Sequence, residues 1–147
     1  MLGIEDAESA EHERPSSNLV IHQVCLPPLK GARQMPGGNR MRLREGSFLR
    51  RLYGCQEIEE EFWCNYSVNP DYHRVFESGD LQPVAFAADG SWRAVEHVAH
   101  PFFLGLLFLP QRNSTMDRPH PILREFLAAA RSRRAAVGSG GKHFAAR

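Results

Sequence analysis

An α/β fold with a mixed sheet is predicted by three observations. Strand-like and helix-like segments alternate along the chain; the run FFLGLLFL, Phe102 to Leu109, is almost wholly apolar; and two further apolar runs are split by Asp89-Gly90. Alternation argues for an α/β layer, and a continuously apolar strand argues for burial on both faces of a sheet. Asp-Gly between apolar runs argues for an antiparallel hairpin within it.

The elements follow in order. Glu8 to Asn18 is polar and turn-rich and predicts a loop. Leu19 to Leu26 (LVIHQVCL) is dense in β-branched residues and predicts a strand. A long Pro- and Gly-rich loop follows, PPLKGARQMPGGN. Arg40 to Arg44 (RMRLR) alternates cation and aliphatic, the period of a half-exposed strand. Ser47 to Gly54 (SFLRRLYG) opens on a capping serine and closes on glycine, which predicts a short helix. Phe62 to Val68 is read as extended, and PDYHRVFESG as a short helix with Pro70 in its first turn. The hairpin and the apolar strand come next. The last helix, His120 to Ala136, carries Ile122, Leu123, Phe126, Leu127 and Ala130 on one face. Residues 1–136 form the expected domain, and the Gly-rich residues 137–147 a flexible tail.

Composition narrows the functional classes. The chain has 147 residues, 42% hydrophobic and 24% charged, with a net charge of +1. That balance gives no footprint for nucleic acid or a membrane surface. The longest apolar run is far short of the roughly 20 residues of a membrane helix. The acidic N-terminus has no hydrophobic signal core, which makes the cytoplasm the default location. Cys25, Cys55 and Cys64 are odd in number and form no C-x-x-C pair, so neither a disulfide framework nor a zinc site is indicated. Cys25 and Cys64, in strand-like runs, are read as small buried hydrophobes.

Few side chains suggest chemistry by pattern alone. His97 and His100 lie three apart, and His100 and His120 each precede a proline, yet no metal-ligand spacing appears. The acidic run Glu57, Glu59, Glu60 and Glu61 is read as a solvated face. No nucleophile elbow and no phosphate-binding loop is present, and no cofactor or metal is expected.

Four stretches, in order, carry a resemblance: LGIEDAESAEH, GGNRMRLR, EEFWCNYSVNP, and HPFFLGLLFLPQRNSTMDRPHPILREFLAAA. Together they resemble the class I glutamine amidotransferase domain at the C-terminus of CTP synthase. More narrowly, they are similar to the stand-alone bacterial branch related to that region. The second stretch resembles Gly-Gly-x-Met-Arg-Leu-Gly with one added residue, and Tyr66, Val68 and Asn69 match a Tyr-x-Val-Asn element. The last stretch follows, without gaps, a strand ending in Phe-His-Pro-Glu, then Ser-Thr and His-Pro. The resemblance covers residue 1 to about residue 131.

The resemblance implies a flavodoxin-like fold, incomplete at its N-terminal side, so that this chain resembles the second half of the domain. It implies glutamine hydrolysis in active relatives: a cysteine thiolate attacks the amide while a histidine held by a glutamate shuttles protons. Ammonia then serves a synthase site that aminates UTP. Partners implied are glutamine or another small amino-acid-like ligand, and a synthase domain or the missing N-terminal half.

Carried over residue by residue, the family's histidine falls on Leu109 and its glutamate on Gln111. The arginine that holds the glutamine carboxylate falls on Asn65, and neighbouring basic positions read Phe62, Trp63 and Cys64. Glu11 matches a glutamate used for the substrate's amino group. The three cysteines match no nucleophile position. No catalytic residue is therefore assigned, and the expected domain lacks glutaminase activity. One alternative is a non-catalytic small-ligand-binding or regulatory module, with Phe62 and Trp63 lining an apolar pocket. Another is a different hydrolase or transferase that would draw its base from His97, His100 or His120. Removing half of a parallel sheet would expose an apolar strand edge, so marginal stability or association is also expected.

Overall fold

The computed structural model describes residues 2–12, 16–23, 40–62 and 66–140. A five-stranded sheet is built around β3 (Arg40–Leu43), in which Met41 and Leu43 point inward and the arginines outward. β4 (Glu57–Glu59) pairs with one side of β3 and β6 (Leu81–Ala87) with the other. β7 (Trp92–His97) follows β6 through the predicted hairpin, and β8 (Leu104–Leu106) closes the far edge. The order is β4-β3-β6-β7-β8, and every pair is antiparallel. The β6–β7 register shifts around Pro83, where proline has no N–H to give the ladder. In the turn, Gly90 takes φ +81°, and Asp89 Oδ1 accepts from Ser91 N at 2.9 Å.

The second sheet has the order β1 (Glu8–Ser9), β2 (Leu19–Gln23), β5 (Tyr66–Val68). β1 runs parallel to β2, and β2 antiparallel to β5, so this sheet is mixed. Cys25, Trp63, Cys64 and Asn65, the loop through Asn39 and the end of the tail lie outside the described residues.

Helix α1 (Phe48–Tyr53) has the predicted caps. Ser47 Oγ accepts from Arg50 N at 3.0 Å, and Gly54 ends the helix at φ 72°. A 3-10 turn at Pro70–Tyr72 leads into α2 (His73–Glu77). Helix α3 (Pro121–Gly140) is the longest.

Two cores result. Met41, Leu43, Leu49, Ile58, Phe62, Val84, Phe108 and Ile122 pack together, with Leu52 and Phe102 against them. Val68, Phe76, Leu81 and Trp92 form a second cluster that joins the two sheets. Each large side chain so buried stabilises by about 1.5–3 kcal/mol. Arg93 is wholly buried in β7, its guanidinium 4.4 Å over the ring of Phe62.

Several expectations are corrected. The run Phe102 to Leu109 is not a long buried strand: three residues pair, only partly buried, at an antiparallel sheet edge. Backbone bonds to β7 extend one residue either way, from His97 N to the Phe103 carbonyl at 3.2 Å and from Leu107 N to the Arg93 carbonyl at 2.9 Å, and Phe102 packs edge-on to Phe48 at 5.7 Å. Glu8–Ser9 is a short strand, not loop, and β4 was not foreseen. The apolar face of α3 is largely uncovered: Ile122 is 4% exposed, but Phe126 is 54% and Leu127 55%. Residues 137–140, expected in the tail, continue the helix.

Candidate functional site

The segment after β8 carries the positions singled out by the sequence. Leu109 N donates to the Glu61 carbonyl at 2.8 Å, which fixes the chain as it leaves the sheet. Buried Pro110 then opens a 3-10 turn, Pro110–Asn113. Its ring presets the φ that a turn's first position needs. Leu109 is half-buried and Gln111 exposed.

Beneath this turn lies a buried polar cluster. Glu60 Oε2 accepts from Asn113 Nδ2 at 2.7 Å. Glu60 Oε1 accepts from Tyr53 OH at 2.7 Å and faces His120 Nε2 at 2.7 Å. His120 Nδ1 accepts the Ile122 N–H at 3.2 Å, capping α3. With that lone pair engaged, the proton resides on Nε2, which donates to Glu60. The His120 backbone N–H donates to Ser114 Oγ at 3.1 Å. Tyr53, the last residue of α1, stands edge-on to the His120 ring at 5.4 Å. Burial pushes the Tyr53 hydroxyl far above the ordinary tyrosine pKa, and its bond to Glu60 adds to the effect.

The cluster therefore ties α1, β4, the 110–114 turn and the start of α3 to one carboxylate. Its lone pairs face protein donors, and Glu60 and His120 are 4% and 3% exposed. This is the geometry of a clamp that orients a turn, not of a base open to substrate. Arg112 Nε to Glu61 Oε2, at 2.9 Å, adds a surface ion pair of small worth.

The sequence-predicted residues are not gathered into one site. Glu11 is exposed beyond β1, its N–H donating to Ser9 Oγ at 3.2 Å. No hydrogen bond or ion pair among the described residues joins it to Leu109 or Gln111. Cys55 is exposed, its thiol donating to the Glu57 carbonyl at 3.2 Å. Phe62 does not line an open pocket: it is 2% exposed and lies under Arg93. Glu60 is not part of a solvated face. It shares the inward parity of Ile58, and that period of two was the available signal. His120 is locked in the cluster, while His97 and His100 lie elsewhere. Among the described residues, no group of three or more His, Cys, Asp or Glu side chains is placed to hold a metal ion. No described helix is long and apolar enough to cross a membrane.

The fold and its framed turn define a class I glutamine amidotransferase-like domain. The structure overlays on the solved Trypanosoma brucei CTPS glutaminase domain with bound acivicin at a TM-score of 0.73 and 24% identity, over 89% of this chain and 53% of that one. In sequence it is 37% identical over 111 residues to CTP synthase of Treponema pallidum (strain Nichols), covering 75% of this chain and 19% of the relative. It is 35% identical over 136 residues to CTP synthase of Methanopyrus kandleri, covering 88% and 25%. No protein-family model matches the chain. The chain belongs with the CTP synthase glutaminase-like domains. It spans about a fifth to a quarter of the length of the curated relatives it matches.

Proposed function

We propose that this chain is a CTP-synthase-type glutamine amidotransferase-like domain that does not itself hydrolyse glutamine. One observation carries the reading. The turn framed by Pro110, Ser114 and His120 is held by the Glu60 clamp. Yet the positions that the resemblance gives to the proton-shuttling histidine and its glutamate hold Leu109 and Gln111. Leucine has no lone pair to take a thiol proton, and a neutral amide gives no charge to stabilise an imidazolium. The family reaction, glutamine hydrolysis supplying ammonia for UTP amination to CTP, is on this reading the origin of the scaffold. A cytoplasmic setting, with a synthase domain or the remainder of the fold as partner, belongs to the same proposal.

The test is glutamate release from glutamine by the purified chain, with Cys55→Ser beside it. We expect no release above the buffer blank from either protein. Turnover above the blank would overturn the reading. A second reading, a small-ligand-binding module on the same scaffold, draws support from the donor-lined pocket described next.

A further inference from the structure

We propose that the pocket between α1 and the end of β7 binds a small oxyanion, a phosphate or carboxylate group. Its ligands would be the Nε2–H groups of His97 and His100 and the guanidinium of Arg51. The pocket is about 270 Å³, lined by Phe48, Arg51, Glu96, His97, His100 and Phe103 among others. This proposal does not depend on whether the domain hydrolyses glutamine.

Two histidines three apart invite a metal, but the hydrogen bonds point elsewhere. Ala99 N donates to His97 Nδ1 at 3.3 Å, and Phe102 N donates to His100 Nδ1 at 3.1 Å. A neutral imidazole has one lone pair and one N–H. With Nδ1 accepting, Nε2 carries the proton in both rings. A metal needs the opposite arrangement, a bare nitrogen with the other N–H donating outward. Both rings therefore offer donors.

The rings are fixed in place. Their centroids lie 6.2 Å apart, and Phe103 stands at 5.9 Å from His97 and 6.1 Å from His100. Arg51 lies over the Phe48 ring at 5.7 Å, and one of its nitrogens, Nη1, donates to the Gly46 carbonyl at 2.7 Å. A guanidinium has five N–H groups, so donors remain for a ligand. Glu96, the one carboxylate among the described lining residues, is turned to the helix. Its oxygens accept from Phe48 N at 3.0 Å and Leu49 N at 3.1 Å. The pocket thus presents neutral donors and one positive charge on a largely polar lining, and bonds from the guanidinium to an anion are charge-assisted. Its volume lies just under the roughly 300–1,000 Å³ of drug-sized sites, which suits a small anion better than a nucleotide.

The test uses the full chain with ¹⁵N-labelled histidine. Imidazole signals are followed during titration with inorganic phosphate, phenyl phosphate and acetate, at ionic strength held constant with chloride. The His97 and His100 signals are expected to show the Nε2–H tautomer before ligand, and to move together and saturate. The signal of His120 should stay still. Preference for phosphate or for acetate then identifies the anion. Arg51→Gln should weaken binding about tenfold. A His97→Phe variant whose His120 signal is unchanged should abolish saturation of the remaining His100 signal. Linear shifts with every anion, saturation that survives both variants, or the opposite tautomer in either ring would overturn the proposal.

Discussion

His120 Nε2 lies 2.7 Å from Glu60 Oε1, and these two buried side chains are 60 residues apart in sequence. Glu60 also accepts from Tyr53 and Asn113, so Glu60→Ala strands three donors at once. Each buried donor left without its partner costs about 1–3 kcal/mol. The expected result is a lower urea midpoint with an unchanged m-value, or failure to fold. A loss below about 1 kcal/mol would mean that water replaces the carboxylate, and the clamp would be refuted.

Tyr53 makes the clamp sensitive to alkali. Its folded pKa is raised by burial first and by the Glu60 bond second. The folded state therefore keeps a proton that the unfolded state gives up near the ordinary tyrosine pKa of about 10. Sign and window follow: the contribution is complete below about pH 10 and falls as pH rises above it, up to tenfold in the unfolding constant per pH unit. Unfolding measured from pH 8 to 11 should show this loss, and Tyr53→Phe should reduce the slope by one proton. Equal slopes in the two proteins would show that Tyr53 ionises freely in the fold.

Local signals were legible in the sequence where one residue's chemistry decides the structure. The alternation in RMRLR, the Ser47 and Gly54 caps and the Asp89-Gly90 turn all appear where predicted. The apolar run at Phe102 misled, because unbroken apolarity reports burial and not backbone pairing. Its side chains fill space beside α1 and α3, while its backbone bonds to β7 reach only from Phe103 to Leu107. The framed turn was legible through its resemblance, but its support was not. No local pattern links Tyr53, Glu60 and His120, which meet only because α1, β4 and α3 converge. Glu60 was hidden in an acidic run whose period of two, shared with Ile58, marks it as inward-facing.

Helix α1 has two N-terminal caps, one local and one from β7. Ser47 Oγ serves Arg50 N, whereas Glu96 serves both Phe48 N and Leu49 N. Loss of a serine cap costs about 1 kcal/mol, and each hydrogen bond to a charged group contributes roughly 1.5–3. Glu96→Ala should therefore cost more than Ser47→Ala in chemical denaturation, with Glu96→Gln between them. Equal losses would show that water caps the helix as well as the distant carboxylate does.

The uneven burial of α3 predicts an equally uneven response to substitution. Ile122 packs in the main core, and replacing a buried isoleucine by alanine costs about 2–5 kcal/mol. Leu127 and Val137 are 55% and 68% exposed, so Leu127→Ser and Val137→Ser should change stability by no more than about 0.5 kcal/mol. Exposed apolar side chains on one element favour association. Sedimentation of the unaltered chain should show concentration-dependent self-association, reduced in the Leu127→Ser/Val137→Ser variant while the urea midpoint holds. Retained association in that variant would move the contact away from α3. A large drop in midpoint would mean that these side chains are covered in solution.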